Sequence, residues 1–156
     1  MDLSASKHPM PNHSVWQAYI FVVAVMLLMA GFGKTIGLQQ EVGFLSKMNP
    51  LFSFITNRQL FSGVAFVEVA LAVILLSKDF SRETKIKMIF WLSLQFAIYR
   101  GALFLAKEPA PCKCFGDIFG WLGMSEDAVQ NIVTGAFLFL LIPSTVWMFK
   151  NKFKGL

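Results

Sequence analysis

The chain has two cysteines, and they stand one residue apart in Pro109-Ala110-Pro111-Cys112-Lys113-Cys114-Phe115-Gly116. Side chains two apart on a helix or strand point to different faces. A disulfide requires Cα atoms about 4.4–6.8 Å apart and convergent Cβ vectors. Cys112 and Cys114 can therefore bridge only across a bent turn. Pro111 holds Ala110 out of the helical region and offers no backbone donor. Gly116 permits a positive φ just past the pair. A bridge closing so small a ring is strained, and strained or exposed disulfides are the labile, oxidising ones. Lys113 sits between the sulfurs, and a neighbouring cation favours the thiolate. The spacing predicts a redox-active pair, with Cys112, Cys114 and Lys113 as the candidate catalytic residues.

Three charged residues stand where charge is costly. Glu68 lies in Val64-Ala65-Phe66-Val67-Glu68-Val69-Ala70, a run otherwise apolar. An ionisable group at such a place faces a bundle interior and has a partner, as a structural carboxylate or as a proton-relay or site residue. Arg100 shares its apolar run with Gln95 and Tyr99. Lys34 ends Ala30-Gly31-Phe32-Gly33-Lys34, either as an interfacial anchor or as a cation at the mouth of a site. At 1.5 Å per residue, Glu68 and Arg100 fall about 13 and 9 Å below the same surface on antiparallel spans. A long arginine can bridge that offset. A Glu68–Arg100 pair is expected, with Lys34 near the same mouth, together forming a buried charge or proton site.

These positions need a scaffold, and the composition says which kind. Of 156 residues, 56% are hydrophobic and 15% charged. A soluble domain of this length carries more charge. The apolar residues come in long runs, which predicts an all-α membrane protein: a four-helix transmembrane bundle with short interfacial helices in its two outer loops. The net charge of +5 is no nucleic-acid signal, because most basic residues flank apolar runs, where they set topology. The first run is too long for a signal-peptide core, and Leu28 is too large for the position three before a cleavage at Ala30.

Residues 1–14 read as a disordered cytoplasmic tail, 15–149 as the membrane domain and 150–156 as a basic cytoplasmic tail. The spans are expected at 15–32, 59–77, 88–106 and 128–149. Gly31-Phe32-Gly33-Lys34 closes the first, its small residues permitting close helix contact. Residues 35–58 are too polar to cross and form an amphipathic connection broken at Asn49-Pro50. Ser125 or Asp127 caps the fourth span, and Pro143 bends it.

Four spans put both termini on one side. That side carries Lys7, Lys78, Arg82, Lys85, Lys87, Lys150, Lys152 and Lys154; the other carries Lys34, Lys47, Arg58, Lys107 and Lys113. The positive-inside rule places both termini in the cytoplasm and the cysteine loop outside. For a bacterial inner membrane, outside is the periplasm, where disulfide chemistry is supported. His8 and His13 fall on the opposite side from the cysteines, which argues against a Cys/His metal site. The eight methionines are scattered, as gap-fillers are.

The pattern resembles the MauE family, within the DoxX-like group of small four-helix membrane proteins. The matching features are Ala30-Gly31-Phe32-Gly33-Lys34 ending the first span, Glu68 inside the second, and Cys112-Lys113-Cys114-Phe115-Gly116 between the third and fourth. The resemblance implies a thiol–disulfide role in the cell envelope. MauE proteins are associated with methylamine utilisation and with maturation of the disulfide-rich small subunit of methylamine dehydrogenase. The resemblance to DoxX-like proteins implies a quinone as candidate electron acceptor, with Glu68, Arg100 and Lys34 as the residues that would hold its head group.

The functional expectation is a membrane thiol–disulfide oxidoreductase. Cys112 and Cys114 would exchange with a periplasmic thioredoxin-fold protein, within a lipid-embedded bundle and a larger membrane complex. The alternative is a non-catalytic subunit or assembly factor in which the cysteines form a static staple.

Overall fold

The computed structural model describes residues 13–39, 43, 45–106, 123 and 125–152. Four long helices carry the fold: α1 His13–Gly37, α2 Asn57–Leu76, α3 Arg82–Leu105 and α4 Glu126–Lys152. All four are long and apolar enough to cross a bilayer, so the chain is a multi-pass membrane protein whose outer helix faces meet lipid. The expected domain edges at 15 and 149 lie within the first and last turns of helix.

Helix starts follow the local chemistry. Thr56 caps α2: its Oγ1 accepts from the Gln59 N–H while the Gln59 side chain accepts from the Thr56 N–H. This reciprocal pair satisfies two donors that a helix start leaves open. Ser81 caps α3 through the Thr84 N–H. Of the two caps expected for α4, Ser125 takes the role, its carbonyl accepting from the Val129 N–H at 3.1 Å and its Oγ from the Ala128 N–H at 3.4 Å. At the other end of α2, Lys85 donates from Nζ to the carbonyls of Leu75 and Ser77. A cation there satisfies the open carbonyls of a helix C-terminus and suits its dipole.

Each helix turns one stripe inward. On α1 it is Tyr19, Ile20, Val23, Ala24, Leu27, Ala30 and Lys34; on α2 it is Ala65, Glu68, Ala72 and Leu75. Spacings of three and four residues put such sets on one helical face. The apolar core joins Tyr19, Val23, Ala24 and Leu27 to Ala72 and Leu75, to Ile86, Ile89 and Leu92, and to Leu140. These are the first three-fifths of α1, the second half of α2, the first of α3 and the second of α4. The core therefore occupies the end of the bundle that holds the helix-bearing termini and the α2–α3 turn.

Lipid is as apolar as a leucine side chain, so helices in it are held by close packing rather than by escape from water. Gly31 supplies the closest approach. A Cβ there would stand 2.6 Å from Val69 Cγ2 and 3.2 Å from the Ala65 carbonyl. Glycine thus lets α1 lie against the backbone of α2 at this level.

Two expectations are corrected here. The Gly31-Phe32-Gly33-Lys34 stretch does not close α1, which continues to Gly37. Gly31 serves contact with α2, not termination. In the connection between α1 and α2, residues 45–56 form no interfacial helix but a loop closed by an antiparallel bridge between Met48 and Thr56. Asn49-Pro50 explains the change. Proline disfavours helix at the residue before it, and Asn49 Oδ1 accepts from the N–H groups of Leu51 and Phe52, a local turn that competes with helix.

Pro143 sits inside α4, where it removes one N–H and crowds the preceding turn. The carbonyl of Leu140, in that turn, accepts from Tyr19 Oη at 2.8 Å and from Ser144 Oγ at 2.7 Å. The first of these bonds ties α1 to α4.

Candidate functional site

Buried polar groups collect at the end of the bundle away from the apolar core. Ser93 and Ser144 are exceptions of a simple kind, each donating to a carbonyl one turn earlier in its own helix. The other buried polar residues among those described are Lys34, Glu68, Asn49 and Asn57, and they form two clusters.

The first is an ion pair. Lys34 Nζ donates to both oxygens of Glu68, each at 2.7 Å, with the two side chains 5% and 3% exposed. Its geometry follows from the helices. Gly31 and Lys34 are three residues apart on α1, and Ala65, Glu68 and Val69 share a face of α2, so the contact at Gly31 sets the register of the pair. A Cα–Cβ bond tilts toward its helix N-terminus, and the Lys34 side chain accordingly runs back into the bundle from the last turn of α1. Glu68 lies eleven residues into α2, about 16 Å along the axis at 1.5 Å per residue, close to the middle of the span. A carboxylate there is tolerable only when paired and hydrogen-bonded.

The partner of Glu68 is therefore Lys34 and not the expected Arg100. The expectation ended α1 too early, which left Lys34 at the mouth. With α1 continuing a further turn, Lys34 is a buried helix residue and meets the carboxylate directly. Arg100 is half-buried on α3, next to Tyr99.

The second cluster brackets the α1–α2 loop. Asn49, 2% exposed, donates from Nδ2 to Asn57 Oδ1 at 2.9 Å and to Tyr99 Oη at 3.0 Å. With Leu51 and Phe52 bound to its Oδ1, one side chain joins the loop, the start of α2 and the second half of α3. Backbone bonds from Asn49 to Ile55, Asn57 to Lys47 and Arg58 to Leu45 hold the loop shut. The sequence showed Asn49 only as a helix break. Its signal was the Asn-Pro step, which marks a side-chain-stabilised turn, but nothing local pointed to Tyr99, fifty residues on.

Cys112, Lys113 and Cys114 lie outside the described residues. Their segment joins the end of α3 to the start of α4. Tyr99, toward the end of α3, already touches the α1–α2 loop, so both connections leave the bundle at the same end, the one that holds the polar clusters.

Chemically, an ammonium against a carboxylate at this distance ties two helices together and can pass one proton between its members with no change in net charge. The clusters do not fit a quinone head group as arranged. Lys34 is committed to Glu68 and Asn49 to Asn57 and Tyr99, and no buried side-chain donor or acceptor among the described residues lacks a partner.

Neither the curated proteins nor the solved structures give a match. The family model described as methylamine utilisation protein MauE matches residues 12–149. That span takes in α1 to α3, α4 up to its last three residues, the buried ion pair, the Asn49 bracket and the cysteine segment, and the chain belongs to the MauE family of methylamine utilisation membrane proteins.

Proposed function

We propose that this protein is a redox protein of the bacterial inner membrane that exchanges thiol and disulfide equivalents through Cys112 and Cys114 on the periplasmic side. Both termini are cytoplasmic in this reading, and the exchange supports disulfide formation in envelope proteins, as in maturation of methylamine dehydrogenase. The observation that carries it is the Cys-x-Cys-Phe-Gly run between α3 and α4. Membership of the MauE family supports it, as does the greater number of basic residues on the tails and the α2–α3 turn.

The chemistry balances with thiols alone. A client thiolate attacks the Cys112–Cys114 disulfide, forming a mixed disulfide and releasing one cysteine as thiolate. The second client thiolate breaks the mixed disulfide, leaving an oxidised client and a reduced Cys112/Cys114 pair. A periplasmic thioredoxin-fold disulfide then re-oxidises the pair by the same exchange in reverse. Lys113 favours the thiolate. The Lys34–Glu68 pair and the Asn49 bracket tie α1, α2 and α3 together on the side of the apolar core from which the cysteine segment leaves α3, and Arg100 is the charged residue of α3 nearest that segment.

The test is mixed-disulfide trapping in cells with Cys112→Ser and Cys114→Ser. One variant should accumulate a covalent complex with an envelope protein, and the other should mainly lose activity. Full disulfide maturation of envelope proteins with either variant would overturn the proposal.

One observation favours a second reading, a non-catalytic assembly subunit. Among the described residues every buried side-chain donor or acceptor has a partner, as a static scaffold requires. A redox titration separates the two: a structural bridge resists mild reductant, whereas a working pair equilibrates near its partner's potential.

A further inference from the structure

Gln95 is out of place. It stands thirteen residues from the start of α3 and ten from its end, about 20 and 15 Å at 1.5 Å per residue. At that depth its side chain is exposed and hydrogen-bonds to no described residue. An amide facing hydrocarbon with no partner is costly, because the bilayer core offers neither donor nor acceptor.

The whole of α3 shows the same mismatch. It is the least apolar of the four spans and also the least covered by its own chain, with 17% of its most apolar stretch buried against 39% for α1. A helix left mostly to lipid should be the most apolar one. The face that carries Gln95 also carries Trp91 and Ile98, 59% and 64% exposed, four residues before and three after it. Ala102 and Leu105 continue that face, which bears no charge from Trp91 onward.

We propose that this face of α3 is a homodimer interface, in which Gln95 of one protomer hydrogen-bonds Gln95 of its partner across a two-fold axis along the membrane normal. Two copies inserted in the same orientation bring the same residue to the same depth, so the match needs no further coincidence. A carboxamide is self-complementary: each N–H group donates to the other's carbonyl, and both amides are satisfied. Interhelical bonds between such side chains hold helices together in lipid. The uncharged surroundings let two copies approach without repulsion, and an isologous contact closes at two protomers.

The test uses the full chain with Cys112→Ser and Cys114→Ser, reconstituted in liposomes. Ile98→Cys, with Gln95 intact, is oxidised and scored for disulfide-linked dimer. Phe66→Cys, on a lipid-exposed face of α2 (75% exposed), is the control. Ile98→Cys should cross-link most of the protein and Phe66→Cys little. Adding Gln95→Leu should lower the Ile98→Cys cross-link at least tenfold, and Gln95→Asn should retain most of it. Equal cross-linking at the two cysteines, or an unchanged yield with Gln95→Leu, would overturn the proposal. So would cross-linking in native membranes only to a protein of different mass. If Gln95→Leu does not elute as a folded species, the comparison of Ile98→Cys with Phe66→Cys still decides.

Discussion

Removing one member of the Lys34–Glu68 pair should be worse than removing both. Glu68→Gln leaves an ammonium in the span, and Lys34→Met leaves a carboxylate. Breaking a buried pair by taking one partner costs about 3–5 kcal/mol. The double variant should therefore be more stable than either single one, read as thermal unfolding in detergent or as the folded fraction recovered from membranes. Additive losses in the cycle would mean that the two do not act as a pair. At this scale the sequence was half legible. Glu68 in an apolar run announces a buried partner, and two cations, Arg100 and Lys34, stood within reach. Choosing between them needed the end of α1 to within a turn, and hydropathy does not locate a helix end that closely.

At the scale of helices, Gly31 makes the sharpest forecast. Gly31→Ala puts a methyl against Val69 Cγ2 and the Ala65 carbonyl, and overpacking of this kind costs about 1–3 kcal/mol. The loss should be largely restored by Val69→Ala in the same chain, because that removes the nearer obstacle. Gly63 has nothing near its missing side chain. Gly63→Ala should leave unfolding unchanged or raise stability by up to about 1 kcal/mol, through helix propensity. Both are read from denaturation midpoints. The four spans themselves were plain in the sequence, because about 20 apolar residues in a row have few other uses. The Asn49 bracket was not, because its bond to Tyr99 depends on how helices distant in sequence are stacked.

For the whole molecule, the prediction concerns which end faces out. Basic residues are more numerous on the tails and the α2–α3 turn, so a membrane-impermeant thiol reagent should label reduced Cys112 and Cys114 in intact spheroplasts. Labelling only after permeabilisation would reverse the topology and remove the periplasmic chemistry with it. The measurement does not depend on whether the cysteines are catalytic. The antiparallel order of helices followed from the short α2–α3 connection. The segregation of apolar core from polar clusters was only partly visible, as charged residues in three spans without a common address.

That segregation has a consequence in time. Local opening is cheapest where few apolar contacts must be given up, and here those contacts are concentrated at one end. The bundle should breathe from the loop end while the other end stays shut. Amide exchange should be slowest around Val23, Ala72 and Ile89 and faster around Asn49 and Tyr99. Replacing Asn49 with alanine should speed the second set without touching the first. A protein built this way can loosen the end from which its cysteine segment emerges many times over without ever beginning to unfold.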